Sequence, residues 1–313
     1  MIVRRSRTAA LGQSSLKKSM ERQCYLLLAL PLIGFFVFTI YPIVWAMLKA
    51  FFYYDKNPIN TRFTGIENFI NVFAQDKSYW IAWLTTFKFM LLKLPFEVPM
   101  ALILAVVLKG VSNRNGMVFR AIFTMPNIVS AAIIGVIFTN MFDYFGCINA
   151  FLEKIGVLSE PMDWFGSANG ALAALCAGSI WNCIGVNILY FTAALANVPD
   201  EVYEAAKIDG ANVFTTFFRI TIPMIAPVFQ TILLLAINGT MQCGEYIVAF
   251  TNGAPGGATN TVGSYMIKSF LPGFASGAPN VGYGCAMAII TSCLSALVAG
   301  VYMKLSKKMK EVY

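Results

Sequence analysis

The chain has 313 residues, of which 58% are hydrophobic and only 12% charged, with a formal net charge of +8. Soluble domains average about 25% charged residues, so the deficit points to lipid as the surrounding solvent. The basic residues cluster at the two ends and in short loops, as topology-setting charges do, which argues against nucleic acid as a partner. Histidine is absent, and with it the commonest general base and metal ligand. The seven cysteines form no C-x-x-C pair and sit mostly in apolar runs, where a thiol behaves as a small hydrophobe. A membrane-embedded hydrolase or redox enzyme is disfavoured, and neither a metal site nor a disulfide framework is indicated.

In chain order, residues 1–23 form a tail carrying Arg4, Arg5, Arg7, Lys17, Lys18 and Arg22. Six runs then approach the roughly 20 apolar residues that a membrane-crossing helix needs: 24–48, 80–108, 121–142, 171–195, 222–245 and 281–303. The first is too long for a cleaved signal peptide and has no A-x-A site after it, so it reads as a retained span. The second is interrupted by Lys88, Lys93 and Glu97, and by Pro95 and Pro99, which fit a kink. The tail 304–313 is basic again, with Lys304, Lys307, Lys308 and Lys310. Six spans put both tails, the basic loop holding Lys109, Arg114 and Arg120, and the loop 196–221 on one side. The positive-inside rule makes that side cytoplasmic. The expected fold is therefore an all-α membrane protein with six transmembrane helices and both termini inside. The last outer loop, TNGAPGGATNT, is a turn sequence without the G-x-x-x-x-G-K-[ST] context of a phosphate loop.

The loop 196–221 is the most informative stretch. Pro199, Asp200 and Glu201 suit a helix start, and Gly210 stands where a helix-terminating glycine would. Asn212 is placed to cap a second short helix with Phe214, Phe217 and Phe218 on one face, and Pro223 marks the start of the fifth span. This predicts two helices at a glycine elbow, with Ala205 and Ala206 flat enough for close approach and Glu204 available to pair. On these features alone, a helix resting on the membrane surface is an equal reading.

Polar groups inside the spans are candidates for a solute path, because lipid penalises them unless they are used or paired. Lys93 and Glu97 stand four apart on one helix face, either pairing with each other or lining a path. Lys88 reads as a snorkelling side chain. Trp181, Asn182 and Asn187 offer one ring and two amides suited to sugars, or to packing and interhelical bonding. Glu245 stands at the expected outer end of span five, as a solute contact or a solvated helix end.

Glu204, Ala205, Ala206, Gly210, Ile220 and Pro223 reproduce the pattern E-A-A, three residues, G, nine residues, I-x-L-P, with Ile222 where leucine is usual. This resembles the signature loop of permease subunits in bacterial binding-protein-dependent ABC importers. YLLLALPLIGFFVFTIYPIVW, GIENFINVF, the run from Trp181 into the loop, and TNGAPGGATNT are similar to the carbohydrate-type permeases. These are the permeases related to the maltose and glycerol-phosphate systems, and the last stretch resembles the maltose F-like half rather than the G-like one. The resemblance implies a type I importer permease fold and a heterodimer with a second permease. It also implies an ABC ATPase dimer, an extracytoplasmic solute-binding protein and a bacterial cytoplasmic-membrane location. Glu204, Ala205, Ala206, Asp209, Gly210 and Ala211 would then dock on the ATPase, which holds ATP and Mg, while this chain binds no cofactor and is not an enzyme. The solute path would draw on Lys93, Glu97, Trp181, Asn182, Asn187 and Glu245. The solute would be a sugar or sugar-like molecule, or within the family a glycerol phosphate or acidic saccharide. The alternative is a free-standing secondary transporter or channel, in which the charges of span two carry ions.

Overall fold

A computed structural model describes residues 20, 23–55, 57–111, 113–270 and 280–310. The chain divides into two compact units: residues up to Phe69 with Asn280–Ala286, and Ile70–Pro279 with Met287 onward.

In the first unit, α1 (Gln23–Lys49) is apolar throughout and its most hydrophobic stretch buries nothing within the chain. A minimal antiparallel ribbon follows, β1 (Phe52–Tyr53) and β2 (Arg62–Phe63), with Phe52 opposite Phe63 and Tyr53 opposite Arg62. Asn68 satisfies two backbone carbonyls beside it, donating to Ala50 at 2.9 Å and Phe52 at 3.0 Å. The backbone amide of Val281 donates to Tyr54 at 2.7 Å.

In the second unit, α2 (Lys77–Lys109) starts at Asp76, whose carboxylate accepts from the Tyr79 amide at 2.9 Å. It runs unbroken through Pro95 and Pro99. Its 33 residues reach roughly 50 Å at 1.5 Å per residue, well beyond a hydrocarbon core of about 30 Å. The region expected as one span over 121–142 is instead a bent pair. Helix α3 (Asn113–Ile128) meets α4 (Ala131–Met141) at 97°. Pro126 weakens the last turn of α3, and Ser130, in extended backbone, caps α4 by accepting from the Ile133 amide at 3.4 Å. The short helix α5 (Cys147–Lys154) is held by Asn149, which bonds the carbonyls of Tyr144 and Met162 and the indole of Trp164.

Helix α6 (Ala168–Ala196) packs along α2, and α7 (Asp200–Ile208) follows. Helix α8 (Val213–Met241) is continuous, passing through a wider π segment at Phe217–Thr221. The second short helix expected after Gly210 is thus the first turn of α8, and span five starts nine residues before Ile222. Asn212 does cap it, accepting from Thr215 at 2.8 Å. Span five also ends earlier than expected: a break at Gln242–Cys243 separates it from α9 (Gly244–Phe250). Then come α10 (Val262–Phe270) and α11 (Val281–Lys310), which starts in the first unit. Among the described residues, five helices are long and apolar enough to cross a membrane, or six if the bent pair counts as one span.

Two apolar cores hold the second unit. One joins Val98, Leu102 and Leu108 of α2 to Ile188, Phe191 and Leu195 of α6 and Ile225 and Ile232 of α8. The other joins Phe89 of α2 and Phe138 of α4 to Leu172 and Leu175 of α6 and Tyr246, Ile247 and Phe250 of α9. Lipid tails are as apolar as leucine, so packing rather than hydrophobic expulsion drives such contacts, and small residues let backbones approach. Gly185 does this for α3 and α6: a Cβ there would lie 1.9 Å from the Phe123 carbonyl oxygen. Since backbone cannot yield as a side chain does, Gly185→Ala is expected to destabilise the detergent-solubilised protein by about 1–3 kcal/mol. A thermal-unfolding midpoint equal to that of the unaltered protein would refute the close approach.

Candidate functional site

Between the two cores, α2 turns a lysine and a glutamate inward. Lys93 Nζ lies 3.2 Å from Glu97 Oε2, and both side chains are almost wholly buried. The pair is completed by neighbours from two other helices. Asn187 of α6 donates to Glu97 Oε1 at 2.7 Å, and Lys93 donates to the Thr240 hydroxyl of α8 at 3.3 Å. Cys183 Sγ stands 3.8 Å from the ammonium, and Phe89 presents its ring 6.0 Å away. The i,i+4 spacing made the ion pair legible in the sequence. The Asn187, Thr240 and Cys183 contacts were not, because they span 90 to 147 residues of chain. The arrangement does two things chemically: it neutralises two charges in a low-dielectric bundle, and it ties three helices at one level.

The other residues expected along a path lie elsewhere. Asn182 donates to the Pro126 carbonyl at 2.8 Å, bracing the α3–α4 corner. Trp181 leans on Phe138 with ring centroids 5.6 Å apart and remains partly exposed. Lys88 is exposed along α2. Glu245 is not the last residue of span five but stands in the first turn of α9, exposed at the rim of a cavity of about 480 Å³. Its walls come from the chain break (Gln242, Cys243), from Ala131 at the bent corner, and from Met266, Thr291 and Ser295. Gly178 lets the neighbouring Tyr246 reach across to the Leu175 carbonyl at 2.9 Å; a Cβ there would meet the tyrosine oxygen at 2.4 Å.

The Gly-rich loop 251–261 beside this cavity is a folded cap. Thr251 and Thr259 share a hydroxyl bond of 2.9 Å, Thr86 accepts from the Val262 amide at 2.9 Å, and Lys268 binds the Asn260 side chain and the Asn252 carbonyl. Burial depresses the Lys268 ammonium below the usual lysine range. Burial and the bond to Asp76 push the Tyr265 hydroxyl up to about 12, so it remains a donor, joining α10 to the start of α2 at 2.8 Å.

The elbow is a separate surface. Helix α7 ends in paired bonds from the Ala211 amide to the Ala206 carbonyl (2.9 Å) and from Gly210 to Lys207 (3.1 Å), with Gly210 at φ +76°. That is the Schellman closure, which requires a left-handed residue. Glu204, Ala205, Asp209 and Gly210 are exposed, and Ala211 is half-buried. Ala206 is buried beneath the helix, so of the two alanines expected on the flat surface only Ala205 faces outward. Ile208, Val213, Phe214 and Phe218 expose large apolar side chains around Gly210.

Residues 97–311 match the family model of the binding-protein-dependent transport system inner membrane component. The chain belongs to that family. Curated relatives run nearly its full length. The lactose transport system permease of Rhizobium radiobacter is 30% identical over 272 residues, covering 85% of this chain and 90% of the relative. The arabinooligosaccharides transport permease of Bacillus subtilis is 30% identical over 304 residues, covering 96% and 93%. The sulfoquinovosyl glycerol transport permease of Agrobacterium fabrum is 30% identical over 288 residues, covering 90% and 89%. A solved bacterial ABC transporter involved in import of the acidic polysaccharide alginate superposes with a TM-score of 0.76 at 21% identity, covering 94% of this permease and 98% of that chain. The permease thus has the all-α type I importer fold of a multi-pass membrane protein.

Removing one partner of a buried ion pair strands the other charge, at about 3–5 kcal/mol. Glu97→Gln is therefore expected to lower the thermal midpoint of the detergent-solubilised permease, and adding Lys93→Met is expected to restore most of the loss. A double variant no more stable than the single one would show that the two side chains do not depend on each other.

Proposed function

We propose that this permease forms one half of the translocation path of an ATP-driven importer for a sugar or sugar-like solute delivered by an external binding protein. A second permease completes the path, and an ABC ATPase dimer that holds ATP and Mg drives it; this chain itself is non-catalytic and binds no cofactor. The observation that carries the reading is the exposed elbow. Helix α7 presents Glu204 on a short rod fixed by a Schellman turn, rimmed by Ile208, Val213 and Phe214, in a chain with no nucleotide-binding loop of its own. Exposed apolar side chains beside the exposed carboxylates of Glu204 and Asp209 suit a protein groove carrying basic residues. A free-standing carrier has no use for such a surface. Both tails and the elbow lie on the cytoplasmic side in this reading, as their lysines and arginines favour. ATP-driven closure of the ATPase dimer would move the elbow as a rigid body and switch the bundle between its two faces.

A sugar is supported by the lactose, arabinooligosaccharide and sulfoquinovosyl glycerol systems named for the relatives. Of the side chains expected along the path, Glu245 lines the cavity of about 480 Å³ together with Gln242. Planar amides and carboxylates pair well with vicinal hydroxyls. Lys93 has its charge matched by Glu97, so the bundle holds no spare cation there that would demand an acidic solute.

Glu204→Lys and Gly210→Val are each expected to leave the permease in the membrane, yet reduce uptake at least tenfold. A left-handed β-branched residue is disfavoured by about 1–2 kcal/mol, enough to deform the turn. Uptake near that of the unaltered importer, measured with the sugar its binding protein prefers from a mono- to oligosaccharide panel, would remove the docking role. Isolation as a lone, transport-competent protein after mild detergent extraction would remove the importer reading altogether.

A further inference from the structure

What fastens the elbow to the transport bundle is Lys109. It is the last residue of α2, and its ammonium reaches three groups near the elbow's start. Asp200 Oδ1 lies at 3.3 Å, the Leu195 carbonyl oxygen at 3.5 Å, and the Tyr203 ring centroid at 4.2 Å. Three helix ends meet here: the C-termini of α2 and α6 and the N-terminus of α7. Helix dipoles favour a cation at the first two and an anion at the third. Lys109 and Asp200 supply those charges at the matching ends. Tyr203, half-buried against the core of α2, α6 and α8, is the platform over which the lysine lies.

Within α7 only Ala206 is fully buried among the described residues. The helix thus rests on the bundle lightly, and a contact arriving from 91 positions away in sequence has leverage on its angle. The carboxylate of Asp200 is 82% exposed. Such a pair adds little to folding stability, so its removal tests position rather than survival of the fold.

We propose that Lys109 is a positioning residue for coupling: it sets the angle of α7 and carries displacement of the elbow into α2, the helix that holds Lys93 and Glu97. This rests on the docking role of the elbow given above. Sequence reading assigned Lys109 only to the topology-setting charges of a cytoplasmic loop. Its partners were invisible there because the contact closes across two spans.

The test uses the assembled importer in lipid nanodiscs, with ATP hydrolysis measured without and with saturating sugar-loaded binding protein. Stimulation across the membrane has to pass through the permease. Lys109→Met, which keeps the apolar stem over Tyr203, is expected to cut the stimulation at least fivefold while the ATPase still co-purifies. Lys109→Arg is expected to retain it. Asp200→Asn, at a side chain too exposed to affect folding, is expected to cut it about threefold. Stimulation within twofold of the unaltered importer in both Lys109→Met and Asp200→Asn overturns the proposal. So does loss of ATPase assembly in Lys109→Met together with normal stimulation in Asp200→Asn. Glu204→Lys separates the two ideas. If it abolishes stimulation while Lys109→Met does not, only the Lys109 role falls; if it too leaves stimulation intact, the docking role falls with it.

Discussion

A charge inside a lipid-spanning bundle has to be answered by protein, because no water is there to answer it. Lys93 and Glu97 meet that requirement jointly, with one further bond each from Asn187 and to Thr240. Much of the second unit depends on this. The pair occupies the level between the two apolar cores and ties α2, α6 and α8 into a fixed set. It also holds Thr240 directly before the chain break at Gln242–Cys243, and the thiol of Cys243 bonds the Thr240 carbonyl at 2.9 Å. Gln242 and Cys243 at that break line the cavity at Glu245.

The elbow and the buried pair share one strut. Helix α2 carries the buried pair near its middle and Lys109 at its end. Its continuity through two prolines is consistent with that use. The backbone bonds lost at Pro95 and Pro99 fall in a stretch whose inward side chains are held by α6 and α8, which offset the local loss. The 33 residues of α2 join the elbow end of the bundle to the buried pair in one unbroken helix.

How much was legible varies with the range of the interaction. Asn212 and Gly210 were readable because a cap and a left-handed turn are local contracts between neighbours. The Lys93–Glu97 pair was readable for the same reason, one helical turn apart. The corner at Val129–Ser130 had local signals in Pro126 and in Ser130 before Ala131. An uninterrupted apolar run outweighed them, since hydropathy records the presence of lipid but not the direction of the helix axis. The end of span five was misplaced in the same way. Gln242, Cys243 and Gly244 break the helix, yet their apolar flanks continue the pattern.

The sequence by itself determined that the chain spans a membrane, which loops carry the basic charge, and that an E-A-A elbow marks it as an importer permease. The first two follow from composition and charge placement, which are fixed before the chain folds; the third rests on the resemblance of the E-A-A pattern to a known family's signature loop. Tertiary structure alone decided that Ala206 turns inward, that Asn182 braces a corner rather than standing free, and that Thr240 completes the buried pair. It also decided that Lys109 ties α7 to α2. Each of these depends on which helix faces lie against one another. That is set by close approach at glycines such as Gly185 and by the pairing of buried polar groups such as Lys93, Glu97 and Asn187.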